Sequence, residues 1–155
     1  MKRIIFMLIG IGLIATNVLS AEMHEEESHH HKHHVAVFFG NTHDYHSEDA
    51  FTVGLDYEYR LTDLIGAGAL IDYAGGDIES TVVGGGLFFH PWRDLRLLGA
   101  IGNEHHSGDD EFLVRLGVMY DFFINDWSIS PTVDVDLLGS GHQNWVYGIA
   151  LGRGF

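Results

Sequence analysis

The chain has 155 residues and no cysteine, which suits a single domain and excludes a disulfide scaffold. Its 22 Asp and Glu against 8 Lys and Arg give a formal charge of −14, a field that repels nucleic acid and anionic headgroups and draws cations.

Lys2 and Arg3, followed by the apolar run Ile4 to Leu19, read as the n-region and h-region of a secretory signal peptide over residues 1–21. Small residues offer cleavage after Ala21, or one residue earlier after Ser20. A membrane helix fits less well. Gly10, Gly12 and Asn17 interrupt the run, it falls short of the ~20 apolar residues a span needs, and acidic sequence follows at once. Loss of the peptide leaves six Lys and Arg against 22 Asp and Glu, a formal charge of −16.

Residues 22–33 are dense in His and Glu and are expected to form a disordered tail. From residue 34 to 155 the chain alternates with period two, which in a strand sends side chains to opposite faces. His34 to Asn41 is apolar on both faces and its phase stays open. Phe51 to Arg60 is the clearest strand, with Phe51, Val53, Leu55, Tyr57 and Tyr59 opposing Thr52, Gly54, Asp56, Glu58 and Arg60. Leu64 to Tyr73 follows the same rule. Thr81 to Phe89 is again apolar on both faces. Leu95 to Gly102, Phe112 to Phe122, Trp127 to Leu137 and Asn144 to Phe155 complete eight predicted strands. Pro131 lacks a ladder N–H, so a bulge or local break is expected there.

Long polar connections (42–49, 74–80, 103–111 and 138–143) alternate with short ones (61–63, 90–94 and 123–126). That rhythm, with strands of ~10 residues, fits a closed eight-stranded antiparallel up-and-down transmembrane β-barrel with long loops outside the cell and tight turns in the periplasm. A soluble barrel shares the period but points its bulky residues inward, and eight strands leave too little room for them. Two aromatic belts decide between these. Tyr57, Tyr59, Phe89, Trp92, Tyr120, Phe122, Trp127 and Phe155 fall at one set of strand ends, and Tyr73, Phe112 and Trp145 at the other.

The ending from Tyr147 to Phe155, with Tyr147, Ile149, Leu151 and Phe155 on one face, resembles the C-terminal assembly signal of outer-membrane barrels. Arg153 departs from that pattern, standing where an apolar residue is usual. From about His34 onward the chain resembles the small eight-stranded families typified by OmpX, OmpW and the membrane domain of OmpA. The resemblance implies an outer-membrane protein of a Gram-negative bacterium. It also implies both termini in the periplasm, contact with lipid and with the barrel-assembly machinery, and a structural, surface-interaction or narrow porin-like role. A monomer is expected, with no nucleic-acid partner.

The predicted inward charges are Asp56, Glu58, Arg60, Asp72, Arg96, Arg115, Asp121, Asp134 and Asp136, and they are expected to pair as a plug. Twelve histidines lie outside the clear strands or at their margins. His24, His29, His30, His31, His33 and His34 crowd the tail, His43, His46, His105, His106 and His142 fall in long connections, and His90 in a short one. No cofactor is required, but imidazole beside carboxylate suits weak binding of Zn²⁺, Ni²⁺ or Cu²⁺, the tail and His43, His46, His105 and His106 being the candidates. Solvation alone or a pH response are the competing readings. His105 and His106 with Asp109 and Asp110 could mimic a hydrolase constellation, with Ser47 or Ser107 as nucleophile. No catalytic motif accompanies them, no histidine is expected on an outward face, and the chain is not read as an enzyme.

Overall fold

The computed structural model describes residues 31–76 and 78–155. The predicted signal peptide and the tail up to residue 30 lie outside the described residues.

Nine strand segments are formed: β1 (His33–His43), β2 (Asp49–Arg60), β3 (Ile65–Ala74), β4 (Ser80–Trp92), β5 (Leu95–His106), β6 (Asp109–Tyr120), β7 (Phe122–Ile124), β8 (Trp127–Leu138) and β9 (Gln143–Gly154). Strands that follow one another in the chain pair antiparallel, except β6 and β7, which both pair with β8, and β9 pairs with β1. The register of β7 on β8 continues that of β6, so these two segments are one stave and the ring closes with eight. Closure matters because no backbone group facing hydrocarbon can find water, and a ring leaves no open edge.

Following register partners once round the ring from His33, through Tyr59, Ala67, Leu87, Gly99, Leu116, Val135 and Trp145, returns to β1 at His43. The stagger is therefore ten residues. With ~3.3 Å rise and ~4.8 Å strand spacing, eight strands so staggered tilt by about 40° and enclose room only for side chains.

The alternation falls as predicted. Tyr57, Leu116, Ile149 and the other bulky residues of that face are exposed on the outer wall, while Glu58, Asp72, Arg96, Arg115, Asp134 and Asp136 are buried in the lumen. The two undecided strands resolve with Ala36, Phe38, Val82 and Phe88 inward. The lumen is not only glycine and charge. Leu70, Val82, Phe88, Leu98, Leu113 and Met119 form an apolar cluster on one side, and Ala36, Phe38, Val146 and Ala150 another. Glycine makes the remaining room. A Cβ at Gly54 would collide with the Asp72 carboxylate, and one at Gly117 with that of Asp134, the residue directly across the ladder in each case.

Both prolines disturb the ladder, in different ways. At Pro131 the register holds on both sides and no bulge forms. Pairing with the β6–β7 stave lapses there, between Thr132 opposite Met119 and Ile129 opposite Phe122. The register shift falls instead between Phe89 and Trp92, around Pro91, and it turns Trp92 outward beside Leu95.

The predicted long loops are shorter than the sequence suggested. β5 and β6 stay paired out to His106 and Asp109, so the connection read as 103–111 is the two-residue turn Ser107-Gly108. Ser107 and Gly108 both have positive φ, 51° and 93°, as a tight primed hairpin turn demands. That polar stretch is mostly ribbon, because hairpin pairing satisfies backbone groups that a loose loop would leave to water.

Leu116 lies midway along β6 on the outer wall. Leu116→Arg should lower stability in lipid vesicles by about 2–4 kcal/mol, the cost of a basic side chain near the bilayer midplane. Urea unfolding of refolded protein reads this, and an unchanged midpoint would place that wall away from hydrocarbon.

Candidate functional site: the lumen network and the two rims

The rim that carries both chain ends, the terminal rim, is held by histidines as well as aromatics. The predicted boundary of the ordered barrel was residue 34, but β1 already starts at His33. His33 and Phe155 exchange two backbone hydrogen bonds, and the His33 ring stacks on the Phe155 ring at 5.3 Å and bonds the Tyr57 hydroxyl at 2.8 Å. His33 therefore sits on the outer face, where no histidine was expected. Tyr147, Ile149 and Leu151 are exposed along the outer face of β9, and Phe155 is exposed just past its end. Arg153 lies over the Trp127 ring, 5.4 Å from its centre, which gives the one discordant residue of the assembly-like ending a partner in the belt.

Just inside this rim is the first charge network. Arg96 bonds Asp121 through Nη2 at 3.0 Å, pairs with it through Nε at 2.8 Å, and reaches Glu58 at 3.5 Å. Ser130 donates to Asp121 at 2.5 Å. Glu58 is held more tightly by His90 Nε2, at 2.6 Å, while Arg60 Nη2 lies 3.0 Å from His90 Nδ1. A guanidinium only donates, so Nδ1 accepts and Nε2 carries the hydrogen given to Glu58. The same logic fixes His34, whose Nδ1 faces Arg96 at 3.4 Å and whose Nε2 donates to Ser128 at 3.0 Å. His90 is 3 % exposed and belongs to the plug. The sequence reading placed it in a turn, because Pro91 follows it and conceals the extension of β4 to Trp92.

The second network is centred on Arg115. Its Nε and Nη2 grip Asp136 at 2.6 and 2.7 Å, and its Nη1 bonds Asp72. Asp134 lies beside them, one register step across from Gly117. Its Oδ1 is buried and has no hydrogen-bond partner.

At the distal rim, opposite the chain ends, two hairpins carry outward His–Asp pairs across the ladder. His43 Nδ1 is 2.9 Å from Asp49 and His105 Nδ1 is 2.8 Å from Asp110. The β1–β2 and β8–β9 turns meet: the Tyr45 N–H donates to Asn144, and the Tyr45 ring stacks on His142 at 4.1 Å and lies 3.9 Å from His46. Glu111 is held below the usual carboxylate range by hydrogen bonds from the Ser140 hydroxyl and backbone N–H.

The metal candidates are not brought together. His24, His29 and His30 lie outside the described residues. His31, His33 and His34 stand at the terminal rim and His43, His46, His105 and His106 at the distal one, a barrel length apart. Among the described residues no three His, Cys, Asp or Glu side chains converge as a metal site would need. The hydrolase constellation does not assemble around its predicted serines. At the distal rim Ser140 lies 3.0 Å from His142 Nδ1, and the nearby Glu111 bonds Ser140 instead of orienting the histidine.

This is the fold of the small eight-stranded outer-membrane β-barrels. It is similar to the N-terminal barrel domain of Pseudomonas aeruginosa OprF (TM-score 0.61, 14 % identity, covering 81 % of this chain and 98 % of that one). It is also similar to the Yersinia pestis outer-membrane protein Ail in a phospholipid bilayer nanodisc (TM-score 0.58, 12 % identity, 81 % and 99 %). A crystal structure of Ail in complex with the heparin analogue sucrose octasulfate compares at TM-score 0.57 and 11 % identity, covering 79 % and 97 %. No family model and no curated protein matches the chain.

Arg115→Ala should strand Asp72 and Asp136 without a cation and cost about 3–5 kcal/mol, as when one partner of a buried pair is removed. The unfolding midpoint in detergent should fall accordingly; a midpoint that stays put would mean that the pair does not hold the barrel.

Proposed function

We propose that the protein is a non-enzymatic outer-membrane barrel, both termini periplasmic, that presents its distal rim outside the cell as an acidic surface for cationic partners. The observation that carries this is the segregation of charge. Of the described basic side chains, Lys32, Arg60, Arg93 and Arg153 lie at the terminal rim, and Arg96 and Arg115 in the lumen. None lies at the distal rim, which carries Asp44, Glu48, Asp49, Glu79, Asp109, Asp110 and Glu111. The tight turns of the terminal rim also support the orientation, since short turns suit the periplasmic side.

Ail is of the same fold and was crystallised with a sulfated sugar. The distal rim here has no Lys or Arg to meet sulfate, and its field opposes a polyanion. Its ribbons instead suit a basic polypeptide, held by charge and therefore weakened by salt.

Protein reconstituted in zwitterionic vesicles should bind a lysine-rich peptide, with affinity falling as salt rises, and should not retain heparin. Replacing Asp49, Asp109 and Asp110 together with Asn should weaken peptide binding severalfold while the protein still folds. Retention of heparin in preference to the peptide would refute the reading. The porin-like alternative finds no support in a lumen filled by two ion networks and two apolar clusters. Planar bilayers should show no discrete openings; regular cation-selective steps would restore that alternative.

A further inference from the structure

The middle of the lumen has more carboxylate than its one cation can serve. Asp56 on β2, Asp72 on β3, and Asp134 and Asp136 on β8 all face inward around Arg115 on β6. Arg115 is committed. Its Nε and Nη2 go to Asp136 and its Nη1 to Asp72, so those three groups together already carry one net negative charge. The next guanidinium, Arg96, is bound to Asp121 and Glu58 nearer the terminal rim. On the remaining sides Asp134 meets Gly117 across the β6 ladder and Val146 across the β9 ladder, neither of which brings charge. Asp134 is 5 % exposed and its Oδ1 meets no donor.

An ionised carboxylate so placed is shut off from bulk solvent, has no cation of its own and faces other acceptors. Burial of a charge on those terms is strongly unfavourable, and the group gives up its charge instead. Metal ions would need several ligands pointing at one spot, and no three acidic or histidine side chains among the described residues are so arranged. A hydrogen ion needs only one oxygen, and it turns an acceptor into a donor in a layer short of donors.

We propose that the lumen is a proton-binding site at neutral pH, with the proton on Asp134. The plug is thereby complete only in its protonated form. Release of that proton adds one unpaired negative charge to the sealed centre of the barrel, so alkaline conditions loosen the plug from within. This is independent of what the distal rim binds.

Infrared spectroscopy of the full chain refolded in detergent tests it. At neutral pH the wild-type protein should show the carbonyl stretch of a protonated side-chain acid, shifted in heavy water. The band should vanish in Asp134→Asn and persist in Asp136→Asn. Because the native state then binds more protons than the unfolded one, raising the pH from mildly acid to alkaline should lower the urea midpoint of wild type relative to Asp134→Asn. Absence of the band from wild type overturns the proposal, even if a variant fails to fold. So does a band that survives in Asp134→Asn. A wild-type midpoint that rises with sodium at fixed ionic strength, while that of Asp134→Asn does not, would assign the site to a metal cation and equally overturn it.

Discussion

The space inside eight strands staggered by ten residues is the constraint from which the rest of this structure follows. Tilted by about 40°, such a ring admits side chains and nothing larger. Every stave must therefore turn its bulk away from the axis, and the outer wall becomes a continuous apolar surface that only lipid can cover. The inner wall must then be filled to high density from small residues, paired charges and a few well-fitted apolar groups. Gly54 and Gly117 show how closely this is done, since each yields its side-chain volume to a carboxylate reaching across from the next strand.

The charges inside are arranged in two groups with different characters. Around Arg96 each acid has its own cation and donor: Arg96 and Ser130 hold Asp121, and His90 and Arg60 hold Glu58. Around Arg115 the acids are in excess. Low polarity strengthens a satisfied network and penalises an unsatisfied one, so the first group stiffens the barrel and the second makes it sensitive to its surroundings.

Much of this was legible from the residues because a period of two leaves little freedom once one face is known to meet lipid. Tyr57, Leu116 and Ile149 could be assigned to the outside, and Arg115 and Asp136 to the inside, from parity alone. Parity fails where both faces are apolar, as around Phe38 and Phe88, because nothing then distinguishes wall from lumen. It also fails at a bulge: Pro91 hid the continuation of β4 and with it the inward role of His90. The histidines were the least legible. Their number suggested shared chemistry, but the fold divides the described ones between two ends of a barrel and gives His34 and His90 hydrogen-bond partners on both ring nitrogens. Sequence proximity to carboxylates predicted pairing well and convergence poorly, because a hairpin brings two residues together across a ladder but not three.

The Ser107-Gly108 turn has a mechanical consequence. Since β5 and β6 remain hydrogen-bonded up to that two-residue tip, the hairpin stands as a stiff blade instead of a tether, with His105 and Asp110 fixed on one flat side. A molecule gripping such a blade has little chain to immobilise, so contact there sacrifices little conformational entropy and a small footprint can suffice.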